Sequence, residues 1–133
     1  MFKITTTQPQ EFIDITRQVE SAVRERGAVS GIAVVYVPHT TAGITINENG
    51  DPDVVYDILT SLEKVFPEKG NYRHFEGNSH AHIKASLMGS SITVMIEDGR
   101  LKLGRWQGLY LCEFDGPRTR TVFVKVMSDG VNE

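Results

Sequence analysis

The hydrophobic residues of this chain recur at two spacings, which predict strands in some places and helices in others. Residues 2–7 alternate between apolar and polar side chains, as is typical of a strand. Residues 32–37 are almost all apolar and predict a strand buried on both faces. Ile44 and Ile46 predict another short strand. The C-terminal part predicts an antiparallel sheet, with strands at 91–97, from 101, at 108–113 and at 121–127, and with turns at 98–99 and 115–117.

Apolar residues at steps of three and four predict helices in the first two thirds of the chain. The first is expected over residues 9–27, and its apolar face consists of Phe12, Ile15, Val19, Ala22 and Val23. The second is expected over 52–66, with Asp51 as its N-cap. A short third helix is expected over 79–88 and ends at Gly89. Together these elements predict one α+β domain over residues 1–133, a mostly antiparallel sheet or sandwich packed with two main helices and one short helix.

Composition narrows the class of protein without naming a function. A chain of 133 residues with 40% hydrophobic and 23% charged residues is expected to fold as one ordinary globular domain. The net charge of -3 gives no electrostatic argument for nucleic acid or for an anionic membrane surface. No apolar run approaches the length needed to cross a bilayer, and the start of the chain lacks the pattern of a signal peptide. We therefore expect a cytoplasmic protein that binds neither nucleic acid nor membrane.

The stretch from residue 39 to residue 53 is much more polar than a connection between a strand and a helix requires. Its side chains are expected at the ends of strands, where functional sites are often built. A calcium loop beginning at Asn47 is excluded, because its sixth and twelfth positions hold Pro52 and Ile58 instead of glycine and glutamate. Asp51 and Asp53 have an alternative explanation as capping residues of the following helix.

Histidine and arginine provide the other candidates for chemistry. All four histidines, His39, His74, His80 and His82, lie in or beside polar connections. His80 and His82 are about 200° apart around a helix, so only one of them can face a given site. We favour His82, which shares its helix face with Ser86, although each histidine has the alternative role of hydrogen-bonding a loop.

Anion binding is a further possibility at two places. The helix that opens at Ser79 presents free amide groups, and Arg118 and Arg120 follow the Gly116–Pro117 turn. No glycine-rich nucleotide-binding motif is present. Trp106 is expected to line a pocket or a contact between subunits, and the single Cys112 is expected in the core.

Several motifs together resemble the YjbQ family of secondary thiamine-phosphate synthases. They are His39-Thr-Thr-Ala-Gly, Asn47-Glu-Asn with Asp51-Pro52-Asp53, Tyr72-Arg73-His74, Ala81-His82-Ile83-Lys84-Ala85-Ser86-Leu87, Gly104-x-Trp106-Gln107 and Glu113-x-Asp115-Gly116-Pro117-Arg118. The resemblance implies a homotrimeric α+β protein that joins hydroxymethylpyrimidine diphosphate to thiazole phosphate. Arg105 stands where the family usually has threonine, so a role for that hydroxyl is not implied here.

The resemblance and the chemistry of the residues yield one set of predicted site residues. The predicted catalytic residues are His39, His82, Asp53 and Glu113. The predicted substrate or anion ligands are Asn47, Ser86, Trp106, Gln107 and Arg118. A divalent metal, zinc or magnesium, is expected at His74, His82 and His39. Because the family is trimeric, the site is expected near a subunit interface.

Three functions are compatible with these residues. The first is an enzyme that acts on a small phosphorylated metabolite, in the manner of the thiamine-phosphate synthases. The second is a metal-dependent hydrolase, with a histidine or Asp53 as the base. The third is a non-catalytic trimeric protein that binds a phosphorylated ligand in the same pocket.

Overall fold

Eight strands and three helices follow one another along residues 1–129, the part of the chain that the computed structural model describes. The helices are α1 (Thr16–Arg26), α2 (Pro52–Val65) and α3 (Ser79–Met88). The strands are β1 (Phe2–Thr5), β2 (Glu11–Asp14), β3 (Gly31–Tyr36), β4 (Ala42–Glu48), β5 (Ser91–Glu97), β6 (Arg100–Leu101), β7 (Gln107–Glu113) and β8 (Thr119–Ser128). The predicted α+β class is confirmed.

The strands form two antiparallel sheets that pack on a shared core. One sheet has the order β1-β8-β3-β5-β6 and the other the order β2-β7-β4. Val35 from the first sheet, Leu111 from the second and Val23 from α1 belong to one buried cluster. The opposite face of β7 contributes Tyr110 and Cys112 to a second cluster, which α2 and α3 cover. The three-stranded sheet is therefore buried on both faces.

The first predicted helix was wrong over residues 9–15, about two helical turns. Residues 11–14 form β2, because Phe12 pairs with Cys112 of β7 and packs into the second cluster. The helix begins only at Thr16, whose backbone N–H donates to the Asp14 carboxylate at 2.9 Å. It ends at Gly27, which adopts the left-handed conformation with φ of 65°.

Strand β3 is also less buried than its sequence predicted. Ala33 and Val35 point into the core, whereas Tyr36 is exposed, because no second layer of residues 1–129 covers the other side of the five-stranded sheet. We call this side the outer sheet face. The register places Tyr36 opposite Phe123 there, and their rings stack with centroids 6.3 Å apart. Met95 and Met127 are exposed on the same face.

Local chemistry explains the second and third helices. Asp51 caps α2, since its side chain accepts the Asp53 N–H at 2.9 Å, and Pro52 occupies the first helical position. Helix α3 begins after Asn78 and ends at Gly89. These boundaries agree with the predicted ones. None of the helices within residues 1–129 is both long and apolar enough to span a membrane.

Candidate functional site

The predicted site residues fall at opposite ends of the three-stranded sheet. Strand β4 pairs with β7 so that Ala42 faces Glu113 and Glu48 faces Gln107. Six residue steps separate these two pairs, and at 3.3 to 3.4 Å per step this is about 20 Å. We call the end with Glu113 the histidine end and the end with Gln107 the tryptophan end. A single chain therefore does not bring all the predicted residues together.

His39 is held at the histidine end by the first strand residues of β8. Its Nε2 accepts the backbone N–H of Thr121 at 2.9 Å, which requires an unprotonated Nε2 and places the ring proton on Nδ1. Burial lowers the pKa of His39, and the positive charge of Arg120 lowers it further. His39 is therefore a neutral imidazole with a fixed orientation and an N–H donor on its other nitrogen.

Glu113 is fully buried and forms an ion pair with Arg120. One carboxylate oxygen accepts from Arg120 Nε at 2.9 Å and from the Thr6 hydroxyl at 2.8 Å. The other accepts from the Arg120 terminal nitrogen and, at 3.0 Å, from the Asp115 N–H. Burial acts to raise the pKa of Glu113, but these hydrogen bonds outweigh it and hold the pKa below its ordinary value.

This arrangement corrects two predicted roles. Glu113 stays ionised and has no exposed surface, so it serves as the counter-ion of Arg120 instead of as a catalytic proton donor or acceptor. Arg120 was one of two possible anion ligands, with a place on the strand surface as its alternative, but its guanidinium is engaged by Glu113 and by the backbone and hydroxyl oxygens of Thr41. The pair instead positions the segments on either side of it.

Arg118 lies at the surface of the same end. Its Nε donates to the Asp115 carbonyl at 2.8 Å and a terminal nitrogen to the Asp115 carboxylate at 3.1 Å. The same carboxylate accepts from the Asn78 side chain at 2.9 Å, which ties the start of α3 to the turn before β8. The Asn78 side-chain oxygen is buried and has no hydrogen-bond partner within residues 1–129. Such an unpaired acceptor is costly unless a donor reaches it.

His82 lies on α3 beside His74 of the preceding loop. Their rings are perpendicular, with centroids 5.6 Å apart, and His74 Nε2 is 3.9 Å from the Glu76 carboxylate. The Ser86 hydroxyl donates to the His82 carbonyl at 2.8 Å, so its proton is used within the helix. Within residues 1–129 no three histidine, cysteine, aspartate or glutamate side chains are arranged to hold a metal ion. The predicted metal ligands thus do not form a complete set in one chain.

A buried lysine on α3 is a feature that the sequence reasoning missed. Lys84 has no exposed surface, and its Nζ lies 2.7 Å from Glu63 Oε1, 3.0 Å from Gln10 Oε1 and 3.3 Å from His80 Nδ1. Three acceptors match the three protons of an ammonium group, so His80 is neutral, and burial followed by the Lys84 charge lowers its pKa. Burial opposes ionisation of Glu63, but hydrogen bonds from Lys84 and Gln10 lower its pKa to about 2. The spacing of four between His80 and Lys84 was the available signal.

The tryptophan end is more open. Trp106 is about half exposed, and its ring lies so close to Gly50 that a Cβ there would come within 3.0 Å. The Arg105 guanidinium lies 5.0 Å from the centre of this ring, within the range of a cation–π contact. Gln107 Oε1 accepts the Gly104 N–H at 2.7 Å and closes the loop between β6 and β7. The side chain of Asn47, at the same end, accepts the Glu48 N–H, and Asp53 lies in the first turn of α2.

Residues 1–129 match the sequence profile of a family described as UPF0047 protein YjbQ-like. The chain is 57% identical over 126 residues to UPF0047 protein YugU of Bacillus subtilis, covering 94% of this chain and 96% of the relative. It is 52% identical over 128 residues to UPF0047 protein MJ1081 of Methanocaldococcus jannaschii, covering 96% and 93%.

Solved structures give the same picture. A crystal structure of an uncharacterised YjbQ/UPF0047 family protein from Clostridium acetobutylicum has a TM-score of 0.94 at 63% identity, covering 95% of this chain and 98% of that one. A protein of unknown function from Sulfolobus solfataricus P2 has a TM-score of 0.92 at 33% identity, covering 96% and 94%. The fold is thus shared by relatives whose sequences have diverged widely.

Proposed function

Because this chain belongs to the YjbQ-like UPF0047 family, we propose that it acts on a small phosphorylated metabolite at its histidine end. The activity is that of a thiamine-phosphate synthase-like transferase. The observation that supports this most directly is the fixed tautomer of His39, which leaves an N–H donor on Nδ1 at the same end as the Arg118 guanidinium. Two donors of this kind suit the oxygens of a phosphate group.

The transfer reaction demands stabilisation of a departing pyrophosphate, on which negative charge develops. Arg118 is paired with Asp115 through Nε and one terminal nitrogen, so its other terminal nitrogen is the donor that it offers to a phosphate oxygen. The first amides of α3 supply further donors beside the Asp115 turn. His39 is a neutral imidazole near neutral pH, so it donates a hydrogen bond through Nδ1 without taking up a proton itself.

We propose further that the complete site forms between copies of the chain in a homotrimer. The tryptophan end, with Asn47, Asp53, Trp106 and Gln107, lies about 20 Å from the histidine end within one chain, so a neighbour would supply it. The exposed apolar side chains of the outer sheet face support an assembly, because monomers rarely leave such patches uncovered.

We also propose that the assembly binds a divalent metal, zinc or magnesium. One chain offers the paired imidazoles of His74 and His82, and His39 belongs to a different set of contacts. The residues of one chain therefore do not fit a metal alone, and we assign no step of the reaction to one. Elemental analysis of the untagged assembly measures whether a metal is taken up.

The second candidate function is a non-catalytic binding protein for the same class of ligand. It is favoured by the state of the predicted carboxylates, since Glu113 is buried and ionised and Asp53 lies at the other end of the sheet. Under this proposal a phosphorylated ligand binds at the histidine end but is not converted.

Titration calorimetry with inorganic pyrophosphate tests binding at the histidine end. Arg118→Ala should weaken binding by about 10-fold to 100-fold, because hydrogen bonds to charged groups contribute about 1.5 to 3 kcal/mol. Lys102→Ala is the matched control, since it removes an exposed cation that pairs with Glu97. Equal loss in both variants, or no binding by the wild type, contradicts the site. An assay for pyrophosphate release from a mixture of hydroxymethylpyrimidine diphosphate and thiazole phosphate then distinguishes the two functions, because only an enzyme would release it.

A further inference from the structure

The second half of β8 has a strand neighbour on one side only. Strand β1 pairs with residues 119–122 of β8, ending where Phe2 faces Val122. On the other side β3 pairs with residues 123–128. Beyond residue 122, therefore, no strand within residues 1–129 pairs with the β1 side of β8.

The direction of the backbone groups along this edge follows from two hydrogen bonds. The Asp129 N–H donates to the Ser30 carbonyl on the β3 side at 3.0 Å, and the Arg118 carbonyl accepts from Thr6 on the β1 side at 2.9 Å. Successive residues of an antiparallel strand direct their backbone groups to alternate sides. Even-numbered residues therefore face the β1 side, and 124, 126 and 128 present N–H and C=O groups to an open edge.

A cleft of about 1200 Å³ runs along this edge. Its walls include Val124 and Val126 of β8 and the exposed face of α1, with Arg17 and Ser21. The cleft therefore offers backbone hydrogen-bonding groups at its base and side chains on its wall, which is the arrangement needed for strand addition.

The charges of the cleft favour an acidic occupant. Arg17, Arg26 and Lys125 line it and take part in no ion pair within residues 1–129. The lining also holds the carboxylates of Asp14 and Glu25, so its ionised side chains carry three positive and two negative charges. Asp14 already accepts hydrogen bonds from Thr16 and Asn49.

We propose that this edge binds an extended acidic segment of a partner protein as an additional strand, antiparallel to β8. The register of β1 predicts how the segment lies, because its residues would continue the line of Phe2. The residue opposite Lys125 would lie on the outer sheet face, where an acidic side chain forms a favourable cross-strand pair. The residue opposite Val126 would face α1, and the segment would end opposite Lys125, before Met1.

Fluorescence anisotropy with a labelled tetrapeptide, Thr-Val-Val-Glu amide, tests this proposal. The peptide stops opposite Lys125, because a residue opposite Val124 would run into Met1. Its third residue lies opposite Val126 and its glutamate opposite Lys125. N-methylation of the third residue should weaken binding about tenfold, because it removes an N–H that faces β8. N-methylation of the fourth residue is the matched control, since that N–H points away. Equal effects of the two modifications, or no binding by the unmodified peptide at about 1 mM, would overturn the proposal.

Two protein variants test the same edge from the other side. Val126→Pro removes an N–H directed to the cleft while leaving the pairing with β3, and should weaken peptide binding about tenfold. Lys125→Glu should make a lysine-containing peptide the better ligand, by about two-fold to five-fold. Circular dichroism checks the fold of both. If wild type binds no peptide and Val126→Pro changes only self-association, the edge is used by a second copy of the chain and the proposal is wrong.

Discussion

The described part of the chain contains two buried cations paired with carboxylates, and water reaches the two pairs very differently. Both side chains of the Arg120–Glu113 pair are buried, with 3% and 0% of their surface exposed. In the Lys84–Glu63 pair the lysine is 0% exposed, but the glutamate is 42% exposed. In the first pair, loss of one partner leaves the other charge buried and out of contact with water. In the second pair, Glu63 can turn to water.

The two pairs also hold different parts of the fold together. Arg120 and Glu113 bind Thr6 and Thr41, and so fix the segments that lead to Arg118 and His39. Lys84 joins α3 to α2 and to the segment before β2. The first pair therefore supports the proposed site directly, whereas the second supports the helical layer behind it.

The largest effect is expected for Glu113→Gln. The change keeps the shape of the side chain but leaves Arg120 as an uncompensated buried charge, so the free energy of unfolding should fall by about 3 to 5 kcal/mol. Urea denaturation measures it. Glu97→Gln is the control, because its exposed pair with Lys102 should contribute less than about 1 kcal/mol. Similar losses in the two variants would show that burial does not distinguish these pairs.

A smaller loss is expected for Lys84→Met, in which an apolar chain of similar length replaces the buried ammonium group. Gln10 and Glu63 lose a donor, but both border an open cleft and can be hydrated. The free energy of unfolding should fall by about 1 to 3 kcal/mol. A loss larger than that of Glu113→Gln, measured in the same denaturant, would reverse the comparison.

The smallest effect is a pH dependence that belongs to Glu63. Its pKa of about 2 is below the ordinary 4.5, so the pairing stabilises the fold fully above pH 4.5 and is lost as the pH falls towards 2. Because Glu63 is partly exposed, wild type should lose only about 1 kcal/mol more than Glu63→Gln over this range. Denaturation at several pH values compares the two proteins. If the free energies of unfolding of the two proteins change in parallel with pH, pairing with Lys84 does not stabilise the ionised form of Glu63.

Local signals in the sequence were sufficient where the local chain decides the structure. Asp51 and Pro52 start α2 as predicted, and Asp98 and Gly99, both with positive φ, form the predicted turn between β5 and β6. The spacing of His80 and His82 correctly predicted that they face different surroundings. One lies in the buried Lys84 network and the other beside His74.

Distant contacts decide the parts that the sequence did not reveal. Phe12 fits the helical spacing of Ile15 and Val19, yet pairing with β7 draws it into a strand. Glu113 and Arg120 pair across a turn, and this removes both from the set available to a ligand. Lys84 pairs with Glu63, which lies on another helix. Such partners depend on how the elements pack, so no local pattern specifies them.

Cys112, buried in the second cluster, has a practical consequence for labelling. It is the only cysteine of the chain, and burial raises the pKa of its thiol, so little reactive thiolate forms near neutral pH. A cysteine introduced at an exposed position would therefore be the one that reacts with a maleimide dye or spin label. The native protein already provides a silent background for distance measurements that test the proposed homotrimer, with no need to remove a residue from its core.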